Sequence, residues 1–234
     1  MDFQIPDEFG FIEGIDAFPP YIFKAKFNFD FDSFREKTDR YLKESKELST
    51  RENYGDPEEG NAITGVHWNT NDGWDPPHKW EELKRFYEWV EFCTPFIMKQ
   101  QCDVSGNNFP KFQFAQSWIN VHNKGGFTSE HWHQNSTISI AAYLDVPEGS
   151  GDLLVLNPLE MVKRAEYLNG NWDASEHRWG RVEVQTGDVL FFPGWLTHKT
   201  EPNKVDTPRY VMSVNMSAVR APREVVKDLP DFSY

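Results

Sequence analysis

Short apolar runs separated by turn residues are the feature of this sequence that most restricts its fold. Beyond residue 111 these runs are Phe112–Asn120, Thr137–Asp145, Asp152–Asn157, Arg181–Gln185, Val189–Pro193 and Arg209–Met216. Gly, Pro, Asn and Asp lie between them, and short strands with such turns are typical of an antiparallel barrel or sandwich. The sequence therefore predicts a β-core over about residues 111–220.

The residues before this core carry helical rather than alternating patterns. A helix is predicted over Ser33–Leu48, with Ser33 as its N-cap, and a second helix is predicted near Trp80–Met98. A short strand is expected at Tyr21–Phe27. Residues 50–78 are rich in Gly, Asn, Asp and Pro, which predicts a loop.

Together these patterns predict one domain over residues 1–234. Its fold class would be mainly β with N-terminal helices (α+β). A helical and loop layer over about residues 1–110 would pack on the β-core. With 234 residues the chain is long for one domain and short for two, and single-domain β-barrels of this length are common.

The chain is acidic, with a formal net charge of -13 and a mean hydropathy of -0.67. Its Lys and Arg residues form no basic stripe. Nucleic acid is therefore disfavoured as a partner, since the acidic protein would repel the phosphate backbone. No apolar run approaches the length of a membrane span, and the first residues lack the pattern of a signal peptide. Two cysteines, Cys93 and Cys102, make no disulfide framework. We expect a cytoplasmic protein without a membrane partner, either as a monomer or as a homodimer.

Two of the seven histidines stand close together, as His131-x-His133, directly before an apolar run. In an extended segment, side chains at i and i+2 point to the same face, so both imidazoles would face the same way. Such a pair arises by chance roughly 0.2 times in a chain of this composition. Taken alone, the pair fits surface histidines at a strand end equally well.

A third histidine and an arginine follow the pair at a distance. His198 comes after the run Val189–Pro193 and a turn, and eleven residues later Arg209 opens another apolar strand. An unpaired Arg in a buried strand is costly. Arg209 is therefore either paired with a local carboxylate such as Asp206, or it anchors an anionic ligand through two parallel hydrogen bonds.

This order of residues suits a non-haem Fe(II) centre. Such a centre uses three protein ligands on one face of an octahedron and leaves three positions open. When 2-oxoglutarate is the co-substrate, its 1-carboxylate and 2-oxo group bind the metal, and its far carboxylate needs a separate cation. Two ligands before one strand, a distant histidine and an Arg one strand later would meet in a double-stranded β-helix.

Several motifs stand in a specific order between about Ser117 and Ser217. They are Ser117-Trp118-Ile119-Asn120, Glu130-His131-Trp132-His133-Gln134-Asn135-Ser136, Ala142-Tyr143-Leu144, Gly151–Pro158, Pro193-Gly194-Trp195-Leu196-Thr197-His198, and Arg209 with Ser213-Val214-Asn215. This stretch resembles the 2-oxoglutarate/Fe(II) oxygenase superfamily, and more closely its branch of oxygenases from bacteria and marine phage genomes. If the protein is phage-encoded, its location would be the host cytoplasm.

The resemblance implies a jelly-roll double-stranded β-helix, cupin-like in form, with Fe(II) as cofactor and 2-oxoglutarate as co-substrate. It implies succinate and CO2 as by-products and hydroxylation as the usual outcome. By register, it assigns His131, His133 and His198 to the metal. It assigns the far carboxylate of 2-oxoglutarate to Arg209, supported by Tyr143, although Tyr143 could equally be a core residue whose hydroxyl bonds to backbone.

His133 departs from the common triad of the superfamily, which is His-x-Asp/Glu followed by a distant His. It stands where the acid is expected, and three imidazoles are a reasonable ligand set for Fe(II). Two alternatives stay open. His133 could be the first ligand, with Asn135 or a water in place of the acid, or a carboxylate such as Glu130 could complete the set. Halogenases also lack the acid, but they carry a small residue there, and His133 is large.

These residues predict an Fe(II)- and 2-oxoglutarate-dependent dioxygenase that hydroxylates a small metabolite or a peptidyl side chain. The alternative is a cupin-like binding or structural protein that kept the fold without the chemistry. A third option is a three-His dioxygenase that does not use 2-oxoglutarate. Trp118 is expected in the core, and the segments Gly65–Pro77 and Met161–Gly180 are long enough to be lids. The remaining histidines are expected on the surface, namely His67, His78, His122 and His177.

Overall fold

The computed structural model describes residues 12–15, 22–48, 63–65, 76–102, 111–158 and 178–219. Its elements in chain order are β1 (Ile12–Ile15), β2 (Ile22–Lys26), α1 (Arg35–Leu48), β3 (Ile63–Gly65), α2 (Lys84–Cys102), β4 (Phe112–His122), β5 (Ile138–Asp145), β6 (Leu153–Leu156), β7 (Trp179–Val182), β8 (Asp188–Pro193), β9 (His198–Thr200) and β10 (Arg209–Ala218). Neither described helix is long and apolar enough to cross a membrane.

The strands form two antiparallel sheets in the order of a double-stranded β-helix. The larger sheet has the order β1-β2-β8-β5-β10-β4-β3, and the smaller has the order β7-β6-β9. A bridge between His131 and His198 adds the segment before β5 to the edge of the smaller sheet. The chain therefore passes back and forth between the sheets from β4 to β10. This connectivity confirms the predicted jelly roll.

The predicted elements differ from the structure at several places. Residues 50–78 were predicted as a loop, but strand β3 (Ile63–Gly65) lies within them, and β1 was not predicted. Strand β7 begins at Trp179, earlier than the predicted Arg181, and β9 was not predicted. Ser33 lies in a short 3-10 turn, and its hydroxyl donates to the carbonyl oxygen of Asp30 at 2.7 Å. The prediction of Ser33 as the N-cap was therefore wrong, and helix α1 starts at Arg35.

Alternation along β5 buries both faces of the larger sheet. Its even-numbered residues from Ile138 to Leu144 join an apolar cluster with Trp89 of α2, so the N-terminal helix covers this outer face. Ala141 and Tyr143 join a second cluster with Leu153 of the smaller sheet. Because both faces are buried, β5 is an almost continuous apolar run.

The same alternation directs polar side chains of β4 and β10 into the space between the sheets. On β10, Tyr210, Met212 and Val214 belong to the outer cluster. Successive strand residues point to opposite faces, so the residues between them face inward. The inward-facing polar and aromatic residues are Trp118, Asn120 and His122 on β4, and Arg209, Ser213 and Asn215 on β10.

Candidate active site

The three predicted metal ligands meet where the segment before β5 runs beside β9. The backbone N–H of His131 donates to the carbonyl of His198 at 3.0 Å, and that of His198 donates to the carbonyl of His131 at 2.9 Å. The backbone N–H of His133 donates to the carbonyl of Gly194 at 2.8 Å. The ring nitrogens that the three histidines offer lie within 4.8 Å of one another.

Hydrogen bonds at Nδ1 leave the Nε2 atom of each ring available as a ligand. Nδ1 of His131 lies 2.8 Å from the carbonyl oxygen of Ser129, and Nδ1 of His198 lies 2.8 Å from that of Leu196. Nδ1 of His133 lies 2.5 Å from Oδ1 of Asn215. Because a carbonyl oxygen can only accept, each Nδ1 carries the proton of the neutral ring and each Nε2 keeps its lone pair.

This arrangement fits a cation. Nε2 of His131 and Nε2 of His133 lie 3.0 Å apart, so two lone pairs would face each other. Burial lowers the pKa of His131, and it lowers the pKa of His133 to about 4, which disfavours a proton between them. Two imidazole nitrogens bound at right angles to one ion, with bonds of about 2.1 Å, lie about 3.0 Å apart.

A carboxylate does not complete this ligand set among the residues that the structure describes. The group that could hold a metal consists of His131, His133 and His198 alone within those ranges. Glu130 is exposed and does not line the cavity beside them. Asn135 lines that cavity and has a φ of 61°, a conformation that is uncommon outside glycine.

The histidines line a cavity of about 590 Å³ between the two sheets, large enough for a small ligand. Its wall includes the indoles of Trp118 and Trp132 and the amides of Gln116 and Gln134. Trp118 is partly exposed, and its ring centroid lies 5.5 Å from that of His133. The prediction that Trp118 belongs to the core was therefore wrong.

Tyr143 lines the inner part of this cavity. Its side chain is 1% exposed, and its hydroxyl has no hydrogen-bond partner among the described residues. The alternative of a hydroxyl bonded to backbone is thus not observed in that part of the chain. Burial raises the pKa of Tyr143, so the hydroxyl stays protonated and can donate to a ligand.

Arg209 is fully buried and lies outside the set of residues that line the cavity. Its guanidinium donates to the carbonyl oxygens of Ser150, Gly151 and Glu201. Within the described ranges, no carboxylate lies within 4.0 Å of it. Asp206, the predicted alternative partner, instead binds Lys124 at 2.9 Å, and both of these side chains are exposed. Among the described residues, carbonyl dipoles and not an ion pair thus balance the buried charge of Arg209.

His122 connects Arg209 to the cavity. It is 1% exposed, its Nδ1 lies 3.2 Å from Nη2 of Arg209, and its Nε2 lies 2.8 Å from Oγ1 of Thr128. Since the guanidinium only donates, Nδ1 of His122 accepts and Nε2 carries the proton. His122 lines the cavity, so its predicted surface position was wrong.

The other histidines lie away from this centre or outside the described residues. His78 is partly buried, and its Nδ1 lies 2.8 Å from Oγ of Ser117. His67 and His177 fall outside the ranges that the structure describes, as do nearly all residues of the two predicted lids.

The fold is a double-stranded β-helix, and its site brings together three histidines that could hold a metal ion. Residues 116–215 match the profile of the family described as "Putative 2OG-Fe(II) oxygenase". Over these residues the chain is similar to 2-oxoglutarate/Fe(II) oxygenase domains, in agreement with the predicted resemblance. The family name specifies the cofactor and co-substrate that were expected, Fe(II) and 2-oxoglutarate. No curated protein matches the chain.

Solved structures resemble the chain at low identity. The α-ketoglutarate-dependent epimerase SnoN from nogalamycin biosynthesis is 13% identical, with 91% of this chain and 86% of that chain covered and a TM-score of 0.49. Iron-bound HygX from Streptomyces hygroscopicus is 14% identical, with coverages of 91% and 83% and a TM-score of 0.48. A 2OG-Fe(II) oxygenase family oxidoreductase from Burkholderia pseudomallei is 11% identical, with coverages of 56% and 57% and a TM-score of 0.39. Such likenesses define neither the substrate nor the reaction of this chain.

Proposed function

We propose that the protein is an Fe(II)- and 2-oxoglutarate-dependent dioxygenase that hydroxylates a small metabolite or a peptidyl side chain. The observation that carries this proposal is the convergence of His131, His133 and His198, whose unprotonated Nε2 atoms face one another beside a cavity. When bound there, Fe(II) and 2-oxoglutarate supply an oxidant from dioxygen, with succinate and CO2 released.

The chain's own residues would bind and orient the co-substrate. We assign the far carboxylate of 2-oxoglutarate to the inner end of the cavity, where the free hydroxyl of Tyr143 can donate to it. Arg209 lies behind His122 at this end and supplies the positive charge. The indoles of Trp118 and Trp132 and the amides of Gln116 and Gln134 would contact the primary substrate. These side chains would exclude water from the substrate when it is bound.

The direct test is succinate release by purified protein with Fe(II), dioxygen and 2-oxoglutarate, since many enzymes of this kind turn over slowly without substrate. We expect 2-oxoglutarate to bind to the Co(II)-loaded protein in anaerobic calorimetry. If the wild-type protein shows no succinate release and no 2-oxoglutarate binding, the dioxygenase is excluded.

Two variants test the assignment of the co-substrate. Tyr143→Phe removes one donor to a charged acceptor and should weaken 2-oxoglutarate binding by about 10–150-fold, because such a bond contributes about 1.5–3 kcal/mol. Arg209→Met should weaken it further. Lys124→Met is the matched control, since it also removes one positive charge but from an exposed ion pair. Binding that is equally weakened in Lys124→Met would indicate a non-specific charge effect.

The rival classes give different results in the same assays. A binding or structural protein would take up metal without forming succinate, or would keep its metal content in His198→Ala. A three-His dioxygenase that does not use 2-oxoglutarate would bind metal equally well in wild-type protein and Arg209→Met, with no 2-oxoglutarate binding in either.

A further inference from the structure

The three histidines differ in what holds their Nδ1 atoms. His131 and His198 use the same local device, a bond to the backbone carbonyl two residues earlier, from Ser129 and Leu196 respectively. His133 instead bonds to a side chain 82 positions away, that of Asn215 on β10. It is also the position at which an acid is expected in the superfamily.

A buried pair of side chains surrounds Nδ1 of His133. Oδ1 of Asn215 lies 2.5 Å from it and Oγ of Ser139 lies 3.0 Å from it. The hydroxyl of Ser139 also donates to Oδ1 of Asn215 at 2.9 Å. Asn215 is 4% exposed and Ser139 is fully buried. The two residues are direct neighbours across β10 and β5.

The orientation of the Asn215 amide decides which nitrogen of His133 faces the metal position. Its Nδ2 lies 3.4 Å from Oε1 of Gln116, and the Ser139 hydroxyl donates to its Oδ1. Both contacts turn the amide oxygen toward His133, so Nδ1 keeps the proton and Nε2 keeps the lone pair. A backbone carbonyl is held in place by the fold, whereas the orientation of the Asn215 amide oxygen depends on the side chains of Ser139 and Gln116.

We propose that Asn215 and Ser139 are positioning residues that hold His133 in the tautomer and orientation of a third metal ligand. They allow an imidazole to occupy the place of the usual acid. This inference rests on the proposed function, since it deepens the description of the same metal site. Partners of this kind typically contribute 10–100-fold to metal affinity.

Co(II) binding to metal-free protein measures the effect without any need for turnover. Asn215→Leu should weaken Co(II) binding by about 10–100-fold. Asn215→Asp keeps an acceptor oxygen at the same position, so it should rescue binding, and Ser139→Ala should cause a smaller loss. Ser213→Ala is the matched control, because Ser213 lies on the same inward face of β10 and bonds to Asn120. It should leave Co(II) affinity unchanged.

The tautomer of His133 gives a second readout that a general loss of stability would not mimic. In metal-free wild-type protein, long-range ¹⁵N–¹H NMR spectra should show the proton of His133 on Nδ1. In Asn215→Leu the ring should become a mixture of tautomers, and in Asn215→Asp the proton should return to Nδ1.

The outcomes separate this proposal from the proposed function. Two results would overturn the positioning role and leave the metal site intact. One is unchanged Co(II) affinity in Asn215→Leu. The other is a His133 ring that is protonated on Nδ1 in both the wild-type protein and Asn215→Leu. If wild-type protein binds no Co(II), the proposed function fails, and the NMR comparison alone decides whether Asn215 sets the tautomer. Should Asn215→Leu not fold, Ser139→Ala carries the comparison, because it should lose Co(II) affinity while Asn215→Asp keeps it.

Discussion

The guanidinium of Arg209 binds carbonyl oxygens from two loops, so this residue stabilises the fold as well as supplying a charge. Its partners are Ser150 and Gly151 before β6 and Glu201 after β9. Removing it would take a donor from each of these carbonyls, and a buried acceptor left unpaired costs about 1–3 kcal/mol. Any loss of 2-oxoglutarate binding in Arg209→Met must therefore be measured on protein shown to be folded.

His122 should make the stability of the metal-free protein depend on pH. Burial, and next the charge of Arg209, lowers its pKa well below 6.5. The unfolded chain then binds a proton that the folded chain does not, so stability is lost as pH falls below 6.5. Between pH 7.5 and 5.5 this single group contributes a loss of at most about 1.4 kcal/mol.

The measurement compares wild-type protein with His122→Gln in urea unfolding at pH 7.5, 6.5 and 5.5 with a chelator present. The other buried histidines contribute equally to the pH dependence of both proteins. The difference in stability loss between wild-type protein and His122→Gln therefore reports on His122 alone. The variant should lose less stability on acidification. Equal losses, or a larger loss in the variant, would contradict the assigned burial and contact with Arg209.

At the scale of single residues, the sequence predicted which residues meet at the site better than it predicted the contacts of each residue. His131, His133 and His198 could be found because their order and spacing are visible along the chain. His122 was missed because it directly precedes the turn-forming Asn123-Lys124-Gly125-Gly126, which made the surrounding sequence resemble a loop. The alternation of Trp118, Asn120 and His122 with apolar residues carried the missing signal. The contact of Asn215 with His133 depends on register across 82 positions, which no local pattern gives.

Among the elements, the turn between β8 and β9 lies directly against the segment that carries His133. Gly194 in this turn approaches the segment before β5 so closely that an added Cβ would lie 2.2 Å from the carbonyl oxygen of Ser136. That atom belongs to the backbone and cannot move aside independently. The same turn receives the N–H of His133 at the carbonyl of Gly194.

Gly194→Ala should therefore weaken Co(II) binding as well as the fold. The clash between the added Cβ and the Ser136 carbonyl oxygen can be relieved only if the segment that carries His133 moves away from the turn that leads to His198. Gly149→Ala is the control: it introduces strain at a φ of +81°, but its Cβ would meet only a side-chain atom of Val205 at an ordinary 3.4 Å. We expect both variants to lose stability in thermal unfolding and only Gly194→Ala to lose metal affinity in calorimetry. Unchanged affinity in Gly194→Ala would show that the turn tolerates the movement.

Strand prediction succeeded for the central strands of the larger sheet, but it missed that sheet's two edge strands, β1 and β3, and was incomplete for the smaller sheet. The strands β5, β8 and β10 are buried on both faces, so long apolar runs identify them. Strand β9 is the three-residue segment His198-Lys199-Thr200, which contains no apolar residue and is identified only by its pairing with β6. The sequence thus placed His198 near a turn, while the structure places it in a strand beside His131.

For the whole molecule, the proposed metal site joins parts of the chain that are far apart in sequence. The ligands come from the segment before β5 and from β9, while the N-terminal helix α2 packs on the opposite face of the larger sheet. That the full chain forms one domain stays a prediction, as do the homodimer and the phage branch. An ion held by both segments binds the folded state and not the unfolded chain, so it should stabilise the fold.

Metal removal should therefore lower the melting temperature of the wild-type protein. At a free Co(II) concentration 100 times the dissociation constant, binding contributes about 2.7 kcal/mol. For a chain of this length that corresponds to a rise of about 5–10 °C in Tm over the protein with chelator. His198→Ala removes one of the three ligands and should abolish most of this rise, whereas Lys124→Met, which alters only an exposed ion pair, should keep it. A rise of equal size in His198→Ala would mean that the stabilising ion binds elsewhere, because an ion held at this site cannot be indifferent to the loss of its ligand from β9.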